Sequence, residues 1–139
     1  MLLRHIAFVV YAASGIPLVR PADLRVAAAP CGLRTVEATF RNEGMIPTRA
    51  RHAIDKRIGP PDVATIEGAS LEVLAGGVVD PATGRLAEPE VRRPERLRLE
   101  QGLPGDGSVR LRWIVRGTGP ITIVYEARKG GRATLSADL

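Results

Sequence analysis

The sequence predicts an all-β fold, an antiparallel β-sandwich, and three observations carry that expectation. Apolar residues recur with a period of two along most of the 139-residue chain. Short clusters rich in Gly and Pro separate the alternating runs. The composition is 45% hydrophobic but only 4% aromatic, so Val, Ile, Leu and Ala must fill the core. At about 100–200 residues per domain, this length fits one domain. Residues 1–17 form an N-terminal apolar segment and 18–139 the sandwich.

In chain order, Met1–Ser14 carries Arg4, the apolar run Ile6–Ala13 and small residues at its end. Two readings fit it: a secretory signal peptide, or a short helix ended by Gly15 and Pro17, of which the helix is favoured. The clearest strand is Thr35–Arg41, with Val36, Ala38 and Phe40 on one face. Val109–Arg116 repeats the pattern with Val109, Leu111, Trp113 and Val115 inward. Ile121, Ile123 and Tyr125 form a third strand, and Ala133, Leu135, Ala137 and Leu139 a fourth. Weaker strands are expected at Leu24–Ala28, Val63–Glu67, Leu71–Leu74 and Arg96–Glu100.

Turns are expected at Pro30–Gly32, Gly76-Gly77, Asp80–Gly84, Pro104–Gly107, Gly117–Pro120 and Lys129–Gly131. One helix interrupts the strands around 48–58, with Thr48 as its N-cap and Ala50, Ala53, Ile54 and Ile58 as an apolar stripe. Gly59-Pro-Pro61 stops it. This number and spacing of strands matches an immunoglobulin/transthyretin-like sandwich.

The net charge is +5 and the pI about 10.3. Charge of this kind invites a nucleic-acid partner, but fifteen acids are interleaved with the arginines, as in Glu88–Glu100. Segregated basic stripes and stacking aromatics are missing, so a solvated mixed-charge surface is expected and no nucleic-acid partner. The longest apolar run falls short of the roughly 20 residues that span a bilayer.

Chemistry-bearing residues are sparse. Cys31 is the single cysteine, set in a Pro-Cys-Gly turn without a neighbouring base. His5 and His52 lie in different segments; His52 and Asp55 can meet on one helical face, as an exposed ion pair. No serine sits in a nucleophile elbow, and no Gly-rich run precedes a helix as a phosphate loop does. Hence the expectation is no enzyme in this chain alone, with no catalytic, cofactor-binding or metal-binding residue and no cofactor.

One stretch is more specific than its strand–turn–helix physics requires: Val36-Glu-Ala-Thr-Phe-Arg-Asn-Glu-Gly-Met-Ile-Pro-Thr48. It resembles the strand and Asn-x-Gly-aromatic-Leu-Pro-Thr turn in the C-terminal β-sandwich domain of bacterial carboxypeptidase A-like zinc metallopeptidases. Further segments are similar in the same order. They are Ile16-Pro-Leu-Val19, Leu99-Glu100 with Gly102, the Trp-containing Leu111–Gly117 and the closing Gly130–Thr134. Within the turn, Asn42 is expected to bond the backbone two residues on, Gly44 to supply a positive φ, and Met45 and Ile46 to cap one end of the core.

The departures are as informative. Met45 stands where the family has an aromatic, and Asp80–Gly84 is an elaboration. The family's zinc-binding His-x-x-Glu, its third histidine and its glutamate base have no counterpart here. The resemblance therefore implies a non-catalytic accessory domain that packs against or orients a zinc peptidase domain in cis or in trans. It also implies export to the periplasm or beyond. The alternative is a stand-alone secreted or surface sandwich acting as an adhesive, filament or carbohydrate-binding module. The first reading expects an apolar docking patch near Ile6–Val10. The second expects pairing through edge strands or a polar groove along Gly76–Glu95.

Overall fold

The computed structural model describes residues 2–139, leaving aside the side chains of Leu2 and of residues 11–14; Met1, part of the expected 1–17 segment, lies outside it. Eight strands build two four-stranded antiparallel sheets. They are β1 (Val19–Ala28), β2 (Arg34–Asn42), β3 (Asp62–Gly68), β4 (Leu71–Val78), β5 (Arg96–Leu99), β6 (Ser108–Gly117), β7 (Pro120–Ala127) and β8 (Gly131–Asp138). One sheet runs β1-β2-β6-β4 and the other β5-β3-β7-β8. The all-β sandwich expected from the alternation is the fold observed.

The period of two explains the core directly. Val36, Ala38 and Phe40 of β2 pair with Trp113, Leu111 and Val109 of β6, and five of these six are fully buried. Ala64 and Ile66 of β3 and Ile121, Ile123 and Tyr125 of β7 face them from the second sheet. Phe40 and Tyr125 meet across the layers with ring centroids 5.2 Å apart. Each large apolar side chain so enclosed stabilises the fold by roughly 1.5–3 kcal/mol.

Three elements depart from expectation. β1 begins at Val19, not Leu24, because its first half is an exposed edge with Pro21 and a register shift between Pro21 and Asp23, and so has no inward alternation to read. β4 runs straight through Gly76-Gly77, which read as a turn. Gly76 lies opposite Trp113 in the register, and a Cβ there would fall 2.6 Å from the indole Cδ1, so the strand passes only as glycine. The helix expected around 48–58 is a single turn, α2 (Arg51–Asp55). Thr48 does not cap it; Ala50 holds that position, with no side-chain bond, and Ile58 is exposed.

A helix, α1, covers Leu2–Ser14, ahead of a buried Gly15 and a buried Pro17. No helix among the described residues is long and apolar enough to cross a membrane.

The sheet edges are mostly occupied. Val19 N–H bonds the Gly130 carbonyl at 2.9 Å, bringing β1 alongside β8. The loop after β4 folds back on it, pairing Gly76 with Glu90 and Val79 with Leu86. β5 is left as a short edge of four residues.

Candidate functional site

Two surface regions stand out, one apolar and one basic. The apolar region is held by a buried polar knot at the turn between β2 and α2. Asn42, fully buried, makes four hydrogen bonds. Its Oδ1 accepts from Leu18 N–H and Gly44 N–H, each at 3.0 Å. Its Nδ2 donates to the carbonyls of Ile46 at 2.8 Å and Pro104 at 3.2 Å. The bond to Gly44 is the one expected from the sequence; those to Leu18 and Pro104 join segments distant in the chain.

Gly44 is needed for closeness and not for a positive φ. A Cβ there would sit 2.2 Å from the Ile16 carbonyl oxygen, where the residues before β1 cross the turn. Ile46 N–H bonds the Gly15 carbonyl at 3.0 Å, and Glu43 N–H that of Leu18 at 2.9 Å. The turn and the residues joining α1 to β1 thus form one rigid unit. Met45 and Ile46 do not cap the core: they are 67% and 49% exposed, beside exposed Ile16 and Leu18. They turn outward because Asn42 and Thr48 take the inward positions. On α1, Leu3, Ile6, Phe8, Val9 and Val10 are all exposed as well.

Thr48 belongs to the same knot. Its hydroxyl donates to Asp62 Oδ2 at 2.6 Å and accepts from Leu103 N–H at 2.8 Å. Asp62 is buried, and Tyr125 donates to the same carboxylate oxygen. Burial first, then the neighbouring Asp62 charge, holds the Tyr125 hydroxyl far above the usual phenol range. Arg49 is buried beside it and donates to the carbonyls of Glu100 and Ile58. Among the described residues no buried side-chain polar atom lacks a hydrogen-bond partner, and this matching holds the knot in one geometry.

The basic region is a groove of about 560 Å³ between the end of β4, the 87–93 loop and β5. Arg92, Arg93, Arg96 and Arg98 line it with Glu88 and Glu90, and Val78, Ala87, Leu97 and Leu99 supply its apolar surface. Glu90 Oε1 accepts from Arg92 N–H at 2.6 Å and Arg93 N–H at 3.2 Å. Those two backbone bonds hold the Glu90 carboxyl below the usual carboxylate range. Among the described residues no carboxylate lies within 4 Å of the guanidinium of Arg92, Arg93 or Arg96, while Arg98 meets Glu100 at 3.3 Å. Arginine therefore outnumbers acid in the groove lining, four to two.

The other chemistry-bearing residues stay apart. His52 is exposed on α2, where Asp55 pairs with Arg51 at 3.2 Å and not with His52. Exposed His5 lies on α1 and exposed Cys31 in the turn after β1. No group of three or more His, Cys, Asp or Glu that could hold a metal ion occurs among the described residues.

Residues 19–138 match the family described as "Domain of unknown function (DUF8731)", and the chain belongs to that family. No curated protein matches it. Among solved structures, it is similar to a conjugative transposon lipoprotein from Bacteroides eggerthii DSM 20697 at 12% identity and a TM-score of 0.37, covering 88% of this chain and 95% of that one. It is also similar to DesR, a beta-glucosidase from Streptomyces venezuelae in complex with D-glucose. There the identity is 13% and the TM-score 0.36, over 88% of this chain and 15% of that one.

Proposed function

We propose that this member of the DUF8731 family is a non-catalytic accessory sandwich that packs against and orients a zinc carboxypeptidase-like domain, in cis or in trans. One observation carries the reading beyond the resemblance in sequence: the apolar side chains left in water on α1 and on the neighbouring turn. Ile6, Phe8, Val9 and Val10 do not share one stripe of α1, and a helix that is apolar on several sides is one that a partner encloses. Met45, Ile46, Ile16 and Leu18 add exposed apolar surface on a rigid turn. Covering each such side chain is worth roughly 1.5–3 kcal/mol, enough in sum to offset much of the cost of association.

In this arrangement the sandwich contributes position and not chemistry. The peptidase domain holds the zinc, and the Asn42 knot keeps the docking turn in one geometry. The groove on the β5 side supports the second reading, a stand-alone module that binds a polar ligand.

The size and activity of the native gene product separate the two. A species much larger than 14.9 kDa, or a 14.9 kDa species in stable complex with a zinc enzyme that trims peptides from the C-terminus, supports the accessory reading. A free 14.9 kDa species with no zinc peptidase bound overturns it.

A further inference from the structure

We propose that the groove between β5 and the 87–93 loop binds an extended acidic peptide segment. Its carboxylates would lie against Arg92, Arg93, Arg96 and Arg98, and its backbone against the open edge of β5. Four arginines outnumber the two glutamates of the lining, and three of the four lack a carboxylate partner among the described residues. Guanidinium groups pair with carboxylates through short, charge-assisted and often bidentate bonds.

The arginines are carried on backbone already fixed in place. Trp113 Nε1 donates to the Pro94 carbonyl at 2.9 Å from a fully buried indole. Gly76 and Glu90 exchange two backbone bonds, at 3.1 and 2.7 Å, and Arg96 N–H bonds the Arg93 carbonyl at 3.1 Å. A loop ordered in advance loses little entropy when a ligand arrives.

The edge favours a peptide over other polyanions. Ile66 N–H bonds the Glu95 carbonyl at 2.9 Å, which sets the alternation of the β3–β5 ladder. Residues 95, 97 and 99 face β3, so the N–H and C=O of Arg98 face away from it, open to an added strand. Half-buried Val78 and exposed Ala87, across the groove from β5, give apolar contact to side chains of such a strand. No aromatic lines the groove to stack on bases or sugar rings.

The test is fluorescence anisotropy of the intact chain with a labelled peptide alternating Glu and Val. Three results are expected: saturable binding, weakening of about tenfold or more in Arg92→Ala/Arg93→Ala, and weakening that grows with salt. A peptide N-methylated at alternate backbone positions keeps every charge and is expected to bind about tenfold more weakly, with the protein unchanged. Arg20→Ala/Arg25→Ala on β1 should change affinity less than about twofold. The proposal is overturned by absent saturation, by an equal loss in the β1 variant, or by undiminished binding of the N-methylated peptide. It is equally overturned if a DNA duplex of the same charge binds as tightly.

Discussion

The Tyr125 hydroxyl donates a 2.8 Å hydrogen bond to Asp62 Oδ2, the same buried oxygen that Thr48 reaches at 2.6 Å. Two hydroxyls thereby stand in for the water that a buried carboxylate has lost, and they tie β7 and the turn after β2 to the start of β3. Removing one donor leaves that oxygen short of a partner. Tyr125→Phe is expected to cost about 1.5–3 kcal/mol, read as a lowered urea midpoint at neutral pH. A change under about 0.5 kcal/mol would mean that the carboxylate does not need the phenol.

The raised Tyr125 pKa gives a pH dependence with a definite sign. The folded state holds the phenol proton more tightly than the unfolded chain, where it leaves near pH 10. Its contribution is therefore fully present below about pH 10 and is lost as pH rises beyond it towards the folded value. Stability should fall by up to about 1.4 kcal/mol per pH unit above that point. Tyr125→Phe should remove that slope, which urea titrations at several alkaline pH values would measure.

Asn42→Ala deletes four hydrogen bonds and leaves Leu18 N–H and the Ile46 carbonyl without this partner. A loss of roughly 3 kcal/mol is expected. Gly44→Ala should act on the same unit by pushing the Ile16 carbonyl away. Hydrogen exchange would show faster exchange at Ile46, whose N–H bonds Gly15, with β6 and β7 unaltered.

Met45→Asp and Ile46→Asp alter side chains already in water, so each should leave thermal stability within about 0.5 kcal/mol of the parent. On the accessory-domain proposal, each should weaken association with the peptidase domain by about tenfold or more, measured by calorimetry on the purified pair. Unchanged association would move the docking surface elsewhere.

The inward alternation of Val36–Phe40, Leu111–Val115 and Ile121–Tyr125 was readable as strands because both sheets bury one face only. Gly76-Gly77 misled because glycine marks a turn in sequence, whereas its use here is to let a strand pass under an indole. Met45 and Ile46 were expected, from the turn, to cap one end of the core, yet the inward space is taken by Asn42, whose partners at Leu18 and Pro104 are 24 and 62 residues away. A polar groove along Gly76–Glu95 was expected on the alternative reading, and a groove lined by Gly77, Val78, Ala87, Glu88, Glu90, Arg92 and Arg93 is found there; its excess of unpaired arginine was not legible. Glu90 alternates with the arginines along the chain, but its carboxylate folds back onto two backbone N–H groups, and no pattern of spacing announces that.

Trp113 is the sole tryptophan of the chain, and its indole N–H ends on the Pro94 carbonyl, within the segment that carries the groove arginines. The molecule thus contains its own optical probe of that loop. Emission from a single dry, hydrogen-bonded fluorophore will shift to the red and lose intensity if the 90–96 segment lifts away. It will hold its colour through events confined to α1 or the 42–46 turn, so that one spectrum distinguishes what happens at the two ends of the molecule's chemistry.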